Sequence, residues 1–216
     1  MAVKIPPIEG KDEIMYPIRR ITGREQIDSG AVASVDIYNW GGEYRPETKA
    51  TLCFWEGKGF LLKMTCREEN PRAVYPFDRQ NSMVCEDSCM EFFGNFAPEK
   101  ENSGYLNFEC NANGCLLCCY GPDRYQRKTV AEMGIPHPLP EAFRTGAEWG
   151  YELLIPIELL QKVYGKSEFS TGDRIRGSFY KCGDLTGHPH YGSDIRISID
   201  HPDFHCPEFF GEMELV

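Results

Sequence analysis

No apolar run in this sequence is long enough to span a bilayer. No apolar h-region follows the opening "MAVKIPPIEGKDEIM", so the expectation is a cytoplasmic protein without membrane contact. Basic residues are scarce relative to acidic ones: 23 Lys and Arg stand against 33 Asp and Glu, a formal charge of −10. A chain of that charge is repelled by nucleic-acid backbones and by anionic lipid, so neither is an expected partner. The sequence contains no G-x-S-x-G and no P-loop, which removes two common routes to hydrolase and nucleotide chemistry. Helical patterns are few, and no internal repeat, linker or low-complexity tract divides the 216 residues. One domain over residues 1–216 follows, with residues 1–30 read as a leading arm or edge strand.

What the sequence does contain is strand pattern and cysteine. "KATLCFWEGKGFLLKMTCREE" reads as a hairpin turning at "EGKG", and "GYLNFECNANGCLLCCYG" as another turning at "NANG". Alternation in "YLNFECN" sets Leu106, Phe108 and Cys110 on one face and Tyr105, Asn107, Glu109 and Asn111 on the other, a half-buried strand. "DSCMEFFGNF", "RIRGSFYKCGD" and "FFGEMEL" supply further strands, and Pro156 starts one short helix that Gly165 ends. The predicted fold class is all-β: an antiparallel sandwich of the jelly-roll or immunoglobulin-like kind, with Met90, Phe92, Leu106, Phe108, Cys110, Tyr180 and Leu215 facing inward. The ten cysteines lie mostly in such runs and are expected to be free, buried thiols.

Chemistry gathers near the C-terminus in "HPDFHCPEFFGEMEL". Four of the five histidines, His188, His190, His201 and His205, fall close together. His188, His190 and His205 are the ligands a metalloprotein would use, although the same residues suit solvated loops. Cys115 with Cys119, and Cys85 with Cys89, align on strands at spacing four and offer a zinc alternative to plain thiol burial. Glu91 and Glu109 lie on neighbouring candidate strands, as a glycosidase pair would or as two acids gripping sugar hydroxyls. With no nucleophile–base pair in view, binding is favoured over catalysis.

Taken together, "EDSCMEFF", "YLNFECNANG", "FYKCGD" and "PDFHCPEFFGEMEL" resemble, in order and spacing, the family 9 carbohydrate-binding modules and the bacterial family 9-like proteins over roughly residues 30–216. The resemblance implies a β-sandwich related to DOMON domains. It also implies a non-catalytic protein whose partner is a mono- or oligosaccharide held between two aromatic rings. No cofactor is implied beyond the structural calcium some members carry. Carried over by position, one clamp aromatic falls on Phe204 and the other on Cys85, which cannot stack on a sugar, so Tyr75 or Phe77 would have to substitute. Glu91 matches the motif glutamate. Glu109 stands where the family example has a basic side chain, Lys181 where it has an amide, and His201 and His205 would form the lip. The ligand-binding set is therefore Phe204, Glu91, Glu109, Lys181, Tyr75 and His201. The missing clamp at Cys85 equally suits an interaction domain that has lost its sugar.

Overall fold

The computed structural model describes residues 15–216; the first fourteen residues of the expected leading arm lie outside the described residues. The strands are β1 (Tyr16–Ile21), β2 (Val32–Ser34), β3 (Ile37–Gly41), β4 (Glu47–Trp55), β5 (Gly59–Arg67), β6 (Cys89–Asn95), β7 (Tyr105–Asn111), β8 (Leu116–Gly121), β9 (Lys128–Thr129), β10 (Glu141–Thr145) and β11 (Glu148–Pro156). The helix α1 (Ile157–Tyr164) follows, then β12 (Arg174–Cys182), β13 (His190–Ser193) and β14 (Gly211–Leu215). The fold is all-β and sandwich-like, with one α-helix among the described residues, as expected. Gly165 ends that helix in the left-handed conformation at φ 65°, a backbone state that glycine enters without steric cost.

One sheet runs β9-β8-β7-β6-β12, with β14 pairing the first half of β12 and β13 the second. The other runs β10-β11-β5-β4, with β2 alongside β4. Two segments pass between them. β1 pairs with β14 through Tyr16–Ile18 and with β4 through Arg19–Ile21, so it edges each sheet in turn. The run 31–40 breaks into β2 and β3, which join β4 and β13 respectively. Both β1 pairings are parallel, a departure from the purely antiparallel expectation. β1 and β14 are separated by most of the chain, and β1 and β4 by a connection containing β2 and β3, so no tight hairpin forces an antiparallel arrangement.

Period-two alternation fills the space between the sheets. Met90, Phe92, Leu106, Phe108, Cys110, Cys118, Ile175, Phe179, Met213 and Leu215 meet Leu52, Phe54, Phe60, Leu62, Trp149, Tyr151 and Leu153. Tyr180, expected inward, lies on the other face: Ile175 and Phe179 already occupy the inner positions of β12, which turns its neighbour outward. The Phe92 ring stacks on Phe179 at 5.1 Å between centroids. It also lies against the cross-strand pair Gly94 and Gly177, where a Cβ on either would come within 2.9 Å of the ring.

The first sheet is buried on both faces, and β7 is buried along its whole length rather than half-buried as expected. Its outer face carries a second apolar cluster that includes Phe93, Tyr105, Leu117, Tyr180, Ile197, Phe204 and Phe210. The covering segment is tied down from β3, where Asn39 Nδ2 donates to the Ile197 carbonyl at 3.0 Å and Trp40 Nε1 to that of Ile199 at 3.1 Å. All ten cysteines are unbridged, and all but Cys85 are buried.

A methyl group at Gly177 would also meet the Phe93 carbonyl at 2.8 Å, where backbone cannot yield. Gly177→Ala is expected to lower stability by about 1–3 kcal/mol. Gly187→Ala, with nothing within 4 Å of its Cβ, should lie within about 0.5 kcal/mol of wild type. Urea midpoints of the two variants check the contrast.

Candidate functional site

Odd-numbered residues of β6 point away from the sandwich core, so Cys89, Glu91 and Phe93 share the outer face. On β7 the same face carries Tyr105, Asn107 and Glu109, and the register sets Glu91 directly opposite Glu109. The two carboxylates form the floor of an open cleft of about 460 Å³. Cys85, Cys182, Asp184 and Tyr191 border it on one side, and Arg124, Tyr125, Arg127 and the run His201–His205 on the other.

Both acids are almost wholly covered, Glu91 at 2% exposure and Glu109 at 3%. Burial, and then the charge of Glu109, pushes the Glu91 carboxyl well above the ordinary carboxylate range. Cys182 Sγ donates to its Oε1 at 2.9 Å. Burial also raises Glu109, but the guanidinium of Arg127 opposes the rise. Arg127 Nη1 lies 3.0 Å from Glu109 Oε1, and Asn107 Nδ2 donates to the same oxygen at 2.9 Å. The floor therefore pairs a carboxylic acid able to donate a proton with a carboxyl oxygen that accepts from a guanidinium and an amide.

The rim has its own supports. Arg124 Nη2 meets Asp203 Oδ1 at 2.6 Å, and that oxygen also accepts the His205 backbone N–H at 2.8 Å. Tyr105 Oη shares a hydrogen bond with His205 Nδ1 at 2.8 Å. Burial, followed by the charges of Arg127 and Arg124, pushes the His205 imidazole down to about 3. It is neutral in the fold and keeps its contact with the Tyr105 hydroxyl.

Of the residues singled out from the sequence, Glu91, Glu109, Phe204, Cys85, His201 and His205 meet at this cleft. Phe204 is only 6% exposed, and one ring face is covered by Tyr180 at 4.3 Å and 14° between planes. Tyr75 is half-buried outside the cleft lining, its hydroxyl donating to Glu86 Oε2 at 2.6 Å. Phe77 is exposed and likewise outside the lining.

Lys181 departs furthest from expectation. It alternates with Tyr180 and Cys182, so it points to the opposite face from Glu91 and Glu109. There it is fully buried, with its ammonium 5.9 Å from the Trp149 ring. It reaches Glu68 at 3.3 Å, donates to the Cys182 carbonyl at 2.9 Å and meets His190 Nε2 at 2.6 Å. These three partners use its three donor protons. His190 Nδ1 donates to the His188 carbonyl at 2.7 Å, and burial, then Lys181, pushes that imidazole down to about 4. His190 thus serves the core ammonium, His188 stacks on Tyr44 at 5.2 Å, and His205 faces the cleft. The three histidines do not converge.

Among the described residues one group of three or more His, Cys, Asp or Glu donors lies within 4.8 Å, and it is Cys89, Glu91 and Cys182. Two thiols do not suit calcium, which takes six to eight oxygen ligands, so calcium has no assigned place in the cleft.

Arg124, Tyr125, Arg127 and Asp184 are cleft residues that strand patterns do not reveal. The stretch "GPDRYQRK" carries the one available signal, two arginines flanking a tyrosine in a turn-rich connection after β8.

The model for carbohydrate-binding family 9 matches residues 24–215. The chain belongs to carbohydrate-binding family 9. A candidate carbohydrate-binding protein from Bacteroides uniformis ATCC 8492 is 28% identical, with a TM-score of 0.78 over 94% of this chain and 99% of that one. A family 9 module from Caldicellulosiruptor kristjanssonii, solved with cellotriose, is 10% identical at a TM-score of 0.62 over 93% of each chain. The glucose complex of a module of that family from the same organism is 12% identical at 0.62, over 93% of this chain and 95% of that one. At those identities the two complexes show the shared fold alone. No curated protein matches the sequence.

Two outcomes check the electrostatics. Lys181→Met leaves Glu68 buried without its cation and is expected to cost about 3–5 kcal/mol; adding Glu68→Gln should restore part of it, read by urea denaturation. For His205 the folded pKa lies below the unfolded one. Its contribution is therefore complete above about pH 6.5 and is lost as pH falls toward 3. Between pH 6.5 and 4 wild type should lose on the order of 3 kcal/mol more than His205→Gln, a difference measured from unfolding curves at both pH values.

Proposed function

We propose that this protein binds a mono- or oligosaccharide in the outer-face cleft, without catalysis. The observation that carries this reading is the meeting of Glu91, Glu109, Phe204 and Cys85 around one open cleft in a family 9 fold. Sugars expose hydroxyls that both donate and accept, together with flat patches of C–H. A protonated Glu91 beside Glu109, whose carboxyl is held by Arg127, offers a donor and an acceptor to neighbouring hydroxyls. Two solved family 9 complexes hold cellotriose and glucose, which supports neutral glucosides as the first ligands to test.

The aromatic contribution comes from the rim. Tyr125 borders the cleft and is 89% exposed, so its ring is free to close over a sugar. Phe204, backed by Tyr180, contributes an edge and holds the wall in place. The basic side chain that the family resemblance expects at the Glu109 position is supplied beside it by Arg127. The cleft volume lies within the range of about 300–1,000 Å³ usual for small ligands.

Titration calorimetry against glucose, cellobiose and glucuronic acid tests the proposal. With one exposed aromatic, at least one sugar should bind near the millimolar level, about −4 kcal/mol. Tyr125→Ala should weaken it by about fivefold, the ~1 kcal/mol of one ring contact, and Glu109→Gln should remove measurable binding. Absence of binding across the panel, or binding indifferent to Glu109→Gln in a folded variant, would overturn it.

A further inference from the structure

Cys89 and Cys182 are direct cross-strand partners on β6 and β12. Glu91 lies two residues further along β6, on the same face. One donor atom from each of the three lies within 4.8 Å of the other two, and all three residues are buried. Cys182 and Glu91 border the cleft, so an ion can approach from solvent, while Cys89 is fully covered behind them.

We propose that Cys89, Glu91 and Cys182 form a binding site for a thiophilic divalent cation of the zinc type, with its fourth coordination position open to the cleft. The spacing fits. A tetrahedral zinc with Zn–S near 2.3 Å and Zn–O near 2.1 Å holds its ligand atoms about 3.5–3.8 Å apart. The Cys182 Sγ–Glu91 Oε1 contact at 2.9 Å and the 4.8 Å limit over the whole group bracket that separation. Coordination requires rotamer adjustment but no movement of paired strands, and it replaces the S–H···O contact between Cys182 and Glu91. Two sulfur donors select zinc, cadmium or cuprous ion against calcium and magnesium, which prefer all-oxygen shells. Cys85 borders the same cleft, and its carbonyl accepts from Cys182 Sγ at 3.8 Å. Three donors with an open fourth place is the arrangement of zinc sites that keep an exchangeable ligand. The remaining cysteines are not drawn in; Cys110 and Cys118 face the sandwich core.

This site does not depend on sugar binding, and its test uses no sugar. The probe is Co²⁺ titrated into the reduced protein. The expected result is one equivalent bound, with near-ultraviolet thiolate-to-cobalt absorption and the visible bands of a tetrahedral ion, both displaced by Zn²⁺. Cys89→Ser and Cys182→Ser should each remove the thiolate absorption, while Cys206→Ser keeps it. Native mass spectrometry of wild type should show one zinc per chain, a measurement that no misfolded variant can confuse. Wild type that binds neither ion, or absorption that survives both serine substitutions, would overturn the assignment.

Discussion

Two carboxylates facing each other across paired strands, both out of water, impose a charge problem on the whole outer face of the first sheet. Two ionised acids at that spacing would repel in a medium that screens poorly. The structure resolves this asymmetrically. Arg127 and Asn107 stabilise the charge on Glu109, and Cys182 lends Glu91 a single hydrogen bond that leaves it favouring its neutral form. That solution determines what may cover the sheet. The connection after β8 must bring an arginine to the floor, and the segment before β14 must stop short of sealing it. Apolar contacts hold the covering segment to the sheet, through Phe204 on Tyr180 and Phe210 on Tyr105. A polar cleft remains between them.

The opposite face of the same strand carries a second charge with a different solution. An ammonium held between two sheets costs several kcal/mol in desolvation unless its protons and its charge are matched. Lys181 has three partners for three protons, one of them a carboxylate, and a tryptophan ring near its charge. The Cys182 carbonyl is one of those partners, and the Cys182 thiol faces Glu91. One short piece of β12 thus joins the core network to the cleft floor. A change at Glu68 or His190 acts on the cleft through backbone position, with no side chain in common.

The strands, both hairpin turns and the helix end were legible because their signals are local: alternation, Asn-Gly and Gly-rich turns, a proline before the helix and a glycine after it. Alternation also oriented β6 and β7 correctly and so brought Glu91 and Glu109 to one face. It failed on β12 for a physical reason. "IRGSFYKC" has apolar residues at both parities because both faces of that strand are buried, so counting them cannot say whether Phe179 or Tyr180 points inward. An expectation that turns Tyr180 inward turns Lys181 outward with it, since one parity decides both. Arg124 and Arg127 carry no such signal because a loop has no period, and their role depends on where the chain folds back. The meeting of Cys89 with Cys182 needed the register of two strands far apart in sequence.

The cleft divides into halves of unlike chemistry that meet at Glu91. On the β7 side the donors and acceptors are hard: a carboxylate, a guanidinium and an amide. On the β12 side they are soft, with thiols lying against the same glutamate. As a protonated acid Glu91 can donate to a sugar hydroxyl; as a ligand to a cation it cannot, because coordination needs its carboxylate. Occupancy of the soft half would therefore withdraw a hydrogen-bond donor from the hard half and add positive charge close to Glu109. The acceptor strength of Glu109 would fall as its local field became more cationic, and an open coordination position would appear where a hydroxyl oxygen can bind directly. A ligand rich in vicinal hydroxyls gains from that exchange, whereas one that relies on a single acceptor contact with a protonated Glu91 loses. The two chemistries compete or cooperate according to how the ligand presents its oxygens.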